Sequence, residues 1–261
     1  MPFRQNSKKS CDRISVEPFD VDSLGSEALM RLYREAASCR EGIRVEIVAG
    51  MRSHGTRERN PASVVGLELG RPTIRFSDSL RRGERIEAIA HECVHLQLSC
   101  RHGLGVVGRR IPRYGSSEDV FHYFMSMRGD WVFLLGQIAN TAHHLILIDY
   151  LRNQYGIESH LHRYLLQQNF RSIANDNDRD KESLYAKGLI AFEYERLIGE
   201  VDRVINISGQ ADPFWKAYHA AQKHFGGYSS EFIPSPAAYK ENILSSLEEL
   251  GYQREAFVFF P

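Results

Sequence analysis

The chain has 261 residues, and its 33 Lys and Arg balance its 33 Asp and Glu, which argues against a general nucleic-acid binder. With 43% hydrophobic and 25% charged residues, it has the composition of a globular chain rather than a disordered one. The length suits one large domain or two small ones.

Residues 1–22 read as a flexible tail. Its first 13 residues carry Arg4, Lys8, Lys9 and Arg13 against Asp12 and hold no apolar run of the kind that makes a secretory signal. Leu24, Leu29, Leu32 and Ala36 have helical spacing and predict a first helix over 24–38. Ile43, Val45 and Ile47 alternate with charged residues and predict a strand. Two more strands follow at 64–69 and 73–76, with Gly70-Arg71 as a hairpin turn. Ile86, Ile89, Cys93, Leu96 and Cys100 form one stripe of a helix over 82–100.

Residues 101–115, rich in Arg and Gly, read as an irregular loop able to act as a lid. Helices are then expected near 117–127, 130–154, 158–168, 181–204, 211–224 and 236–250. Asn175–Asp178 is a polar break, and Ser235-Pro236 starts the last helix. The fold expected is α+β, a small sheet followed by a mostly helical region. Residues 23–155 would form a metal-binding core and 156–261 a helical region packed on it. The apolar stretch 131–151 is interrupted by Gln137, Asn140, Thr141, His143, His144 and Asp149, too polar for a membrane span.

Eleven histidines are the unusual feature of the composition. Residues 91–95 read His-Glu-Cys-Val-His, an H-E-x-x-H motif inside the 82–100 helix. Positions i and i+4 share one helical face, so His91 and His95 can reach one zinc ion. Glu92 can then reach a metal-bound water and take its proton as it attacks a carbonyl.

On this motif, and on the order helix, three strands, motif helix, residues 24–150 resemble the HExxH zinc metallopeptidases, the zincin-like clan. The resemblance implies His91 and His95 as zinc ligands and Glu92 as general base. The metzincin extension is missing, because Leu98 and Arg101 stand where it needs glycine and histidine. A gluzincin-type site draws its third ligand from a later helix. His144 on the 130–154 helix is the first candidate, one turn after Asn140 and beside Gln137 and Thr141. His143, Glu118 and Glu193 remain alternatives.

Several weaker signals point to structure rather than chemistry. Gly103–Gly108 matches G-x-G-x-x-G but follows a helix, not a strand, so phosphate binding is not expected. Seven Arg against three Glu over 81–113 read as a solvated face before an anion-steering one. His122, Tyr123 and Tyr194 are conceivable oxyanion donors that read better as core residues. Cys11, Cys39, Cys93 and Cys100 contain no C-x-x-C pair, and reduced thiols in a cytoplasmic protein fit them.

The function expected is zinc-dependent hydrolysis of a peptide or protein substrate, with Zn2+ as cofactor and no nucleic-acid or membrane partner. A zinc-binding interaction scaffold and a hydrolase of a non-peptide bond are the alternatives.

Overall fold

A computed structural model describes residues 15–39, 42–49, 61–65, 72–109, 129–174, 180–199 and 212–260. The helix expected at 117–127, Glu118, His122, Tyr123, the Gly70-Arg71 turn and the Asn175–Asp178 break lie outside these residues.

The architecture is α+β, a small mixed sheet followed by a mostly helical remainder. Strand β1 (Val16–Pro18) and a single 3-10 turn (Val21–Leu24) precede helix α1 (Glu27–Ala37). Residues 15–22 are therefore built into the fold, which corrects the tail reading for that part of 1–22. The Ser26 side chain caps α1 by accepting from the Leu29 N–H. Strands β2 (Arg44–Val48), β3 (Ala62–Val65) and β4 (Thr73–Ser77) complete the sheet in the order β1-β2-β4-β3. β2 and β4 run parallel, with Val45 opposite Ile74, and β3 is an antiparallel edge strand, with Val64 opposite Ile74.

Helix α2 (Arg82–Cys100) packs on β3, β4 and α1. Ile89, Cys93 and Leu96 of the expected stripe are buried, and Ala90, Val94 and Leu98 are buried on other faces, so the helix runs through the core. Its arginines work locally. Arg82 donates to the Leu24 carbonyl, Arg85 to the carbonyls of Leu80 and Asp78, and Arg101 to Glu35.

The chain turns out of α2 at Gly103, whose φ of +65° only glycine adopts freely. A Cβ there would also come within 2.8 Å of Pro236. The Leu104 N–H then closes onto the Leu98 carbonyl, and Leu104 is fully buried.

The lid reading fails at β5 (Val106–Arg109). This strand pairs with β6 (Phe257–Phe260), register Val107 to Phe259 and Gly108 to Val258. A glycine-rich stretch gains this order from a partner about 150 residues downstream, which no local pattern announces.

The remaining helices are α3 (Gly129–Tyr150, extended by a π-helical turn over Leu151–Tyr155), α4 (His160–Ala174), α5 (Lys181–Leu197), α6 (Asp212–Phe225) and α7 (Pro236–Glu249). α5 lies centrally, against α3, α4 and α6. Gly188 makes the α5–α6 approach possible, since a Cβ there would meet the Phe214 carbonyl at 2.2 Å.

Cys39 and Cys100 are joined, Cα to Cα 5.9 Å, tying the end of α1 to the end of α2. This corrects the reading of those two as reduced thiols. They are 61 residues apart, and only the packing of two helix ends brings them together. No helix among the described residues is long and apolar enough to cross a membrane.

Candidate metal centre

Helical geometry brings the two motif histidines together. His91 Nε2 and His95 Nε2 stand 3.1 Å apart. Two nitrogens bound to one tetrahedral zinc at ordinary bond lengths are separated by about 3.3 Å, so this spacing suits a shared ion.

Two more imidazoles close on the pair. The ring of His144 on α3 lies 5.0 Å from His91 and 5.2 Å from His95. The ring of His162 on α4 lies 5.1 Å from His91 and 4.4 Å from His144. Among the described residues, His91, His144 and His162 form a group whose ligand atoms all lie within 4.8 Å of one another.

Hydrogen bonds fix which nitrogens are free. The Leu104 carbonyl can only accept, so His143 Nε2 carries the proton and donates to it at 2.9 Å. His143 Nδ1 is then a bare acceptor. It takes the Nδ1–H of His95 at 3.0 Å, which leaves His95 Nε2 with its lone pair toward His91. On the other side, His144 Nδ1 donates to Glu193 Oε1 at 2.7 Å, freeing its Nε2. His162 Nε2 donates to the same oxygen at 3.2 Å. The second oxygen of Glu193 accepts from Thr141 and Gln137. Glu193, on α5, is thus an orienting carboxylate of the kind that backs metal-bound histidines.

Burial favours the neutral form of four of the histidines, the form a metal ligand must have. Burial, reinforced by the neighbouring histidines, holds His91 and His95 well below the usual histidine range. Burial likewise lowers His162 and takes His143 down to about 4. For Glu193 burial acts upward, but His144 and His162 outweigh it and hold the carboxyl far below its ordinary range. Glu92 behaves oppositely. Burial raises it to about 8, partly offset by a hydrogen bond from the Val64 backbone on the edge strand.

The sequence-derived candidates divide clearly. Glu92, next to His91 on α2, is buried against the Val64 backbone of the edge strand, while His91, His95 and His144 meet at one place. Glu193 is there too, in contact with His144 rather than with the motif pair. His143 faces His95 and the Leu104 carbonyl, with the Tyr239 hydroxyl 3.3 Å from its Nε2, and so supports the motif from behind. Asn140, expected beside His144, is exposed, and Glu193 fills that role instead. Tyr194 is buried and stacked on Phe170 at 4.1 Å, a core residue. Cys93 is a buried free thiol whose burial raises its pKa, not a donor to the centre.

His162 escaped sequence reasoning. It sits in the first turn of an amphipathic helix, and its only signal is a second histidine two residues earlier, at His160, which on a helix does not share its face.

No family model, curated protein or solved structure matches this chain. The likeness to HExxH peptidases therefore rests on the chain's own residues.

Proposed function

We propose that the protein is a zinc-dependent hydrolase acting on peptide bonds, with His91, His95 and His144 as ligands and Glu92 as the proton-transferring base. The 3.1 Å approach of the two motif Nε2 atoms carries this reading. His95 Nε2 presents a lone pair there, and with its proton on Nδ1 His91 would present a second, so that one cation between them would satisfy both. The donor set also fits zinc, for which neutral imidazole is a suitable ligand.

When bound, the ion supplies Lewis acidity at a carbonyl and makes water a stronger acid. The chain supplies the rest. Glu92 receives a proton at its carboxylate, held in place by the Val64 N–H. Its raised pKa in the metal-free chain leaves the carboxyl protonated at neutral pH, and a cation beside it favours the carboxylate. His143 and Glu193 hold their partner imidazoles in the tautomers that bind metal.

Glu92→Gln tests the proposal. Peptide hydrolysis should vanish while zinc binding persists. Full activity in that variant would contradict the peptidase reading.

A second reading has its own observation. The group within ligand distance is His91, His144 and His162, without His95; with His95, 3.1 Å from His91, four histidines would fill a tetrahedral ion and leave no position for water. The protein would then be a zinc-stabilised scaffold. Zinc bound without hydrolysis of a peptide library would favour it, or a hydrolase of another bond.

The Cys39–Cys100 bond bears on the compartment. Such a bond persists in oxidising surroundings, so the reading does not retain the cytoplasmic expectation.

A further inference from the structure

α4 enters the centre in an unusual way. The residue before its first turn is Ser159, a good capping residue, yet the Ser159 hydroxyl is buried without a hydrogen-bond partner. The orphan N–H groups of the turn are taken by another helix. Glu87 on α2 accepts from the Leu161 N–H through Oε2 and from the His162 N–H through Oε1, both at 2.8 Å. Glu87 is only 7% exposed, and these backbone groups are the partners that make its burial tolerable. It also lies one turn before His91 on the same face of α2. One face of α2 therefore presents His91 and His95 and, through Glu87, grips the backbone of His162. The rings of His91 and His162 stack at 5.1 Å with 24° between their planes.

We propose that His162 is a working member of the metal centre and that Glu87 is the positioning residue that seats it there. The inference rests on the metal centre common to both readings above: as a fourth ligand His162 favours the scaffold, and as an imidazole held by Glu193 beside the three ligands it is compatible with hydrolysis. Its physical basis is registration. A bidentate carboxylate on two successive N–H groups fixes both the height and the rotation of the first turn of α4. The imidazole of His162 is attached to one of the two gripped residues. Without the grip, α4 could shift along α2 and carry His162 away from His91 and Glu193.

The test is a double-mutant cycle on zinc affinity in the full-length protein, read by competition with a chromophoric chelator. The variants are Glu87→Ala, Glu87→Gln, His162→Ala and Glu87→Ala/His162→Ala. A cavity of about 620 Å³ beside Glu87 admits water to the N–H groups freed in Glu87→Ala. Glu87→Gln keeps one acceptor should the alanine variant fold poorly.

We expect Glu87→Ala and His162→Ala each to weaken zinc binding about tenfold or more, the usual scale for residues that orient ligands. Glu87→Gln should fall between them and wild type. The double variant should bind no more weakly than His162→Ala alone. A purely structural Glu87 would lower the thermal midpoint of the metal-free protein in both backgrounds without this coupling in zinc affinity. Wild-type affinity in Glu87→Ala and Glu87→Gln, or a Glu87→Ala loss that persists in full when His162 is gone, overturns the inference while leaving the zinc centre standing. A wild type that takes up no zinc overturns both.

Discussion

His144 Nδ1 lies 2.7 Å from Glu193 Oε1, and the pair is almost wholly removed from solvent, with side-chain exposures of 11% and 2%. This contact links the first candidate ligand on α3 to a carboxylate on α5. It also gives Glu193 the place of a carboxylate that orients imidazoles. Four donors converge on it: His144, His162, Thr141 and Gln137.

Glu193→Ala should therefore cost the metal-free protein about 3 kcal/mol or more, because it strands several buried donors at once. It should also weaken zinc binding about 10- to 100-fold. Urea unfolding and chelator competition measure the two effects. A stable variant with unchanged zinc affinity would remove Glu193 from the account.

Acid should destabilise the metal-free protein through the histidines. His91, His95, His143 and His162 have folded-state pKa values lowered from 6.5, so the unfolded chain binds more protons as the pH falls. Their contribution is fully present above pH 6.5 and is lost as the pH drops through the folded values, near 4 for His143. Denaturant midpoints at pH 7.5, 6 and 5 should decline in that order. Equal midpoints across the series would count against the buried neutral cluster.

Glu92 predicts the opposite slope for its own contribution. Its folded pKa is raised from 4.5 to about 8, so the stability tied to its protonated form is complete below pH 4.5 and is lost as the pH rises through 8. Glu92→Gln should accordingly stabilise the metal-free protein at pH 8, by at most about 4 kcal/mol, with little effect near pH 4.5. Thermal melts of both proteins at the two pH values read this difference. Destabilisation by the variant at pH 8 would show that the carboxylate is better solvated than its surroundings imply.

Opening Cys39–Cys100 should lower stability by about 2–4 kcal/mol, since the bond closes a long loop between the ends of α1 and α2. Cys39→Ser, compared with wild type under non-reducing conditions, measures it. Cys93 should stay unreactive to thiol reagents in the native state, because burial raises its pKa and removes its access. Rapid labelling of Cys93 in the folded protein would contradict the packing of α2.

Much of this site is legible in the sequence because its parts are local. An i, i+4 pair on a helix fixes the relation of His91 to His95 whatever the surroundings, and apolar spacing alone indicates α1, α2 and most later helices. The relations that fail to show are those between distant segments. His162 joins the centre only because α4 docks on Glu87. The loop after α2 becomes β5 only because residues 257–260 return to pair with it. Cys39 meets Cys100 only through the packing of α1 on α2. His143, one residue from His144, turns toward His95 because the buried Leu104 carbonyl and the His95 ring are its available partners.

The most direct measurement is the zinc content of the purified protein after metal addition, alongside His91→Ala, His95→Ala, His144→Ala and His143→Ala. The account predicts one zinc per chain in wild type, loss in the first three variants, and retention with weakened affinity in His143→Ala. A wild type without zinc, or one whose zinc survives undiminished in His91→Ala, would contradict it.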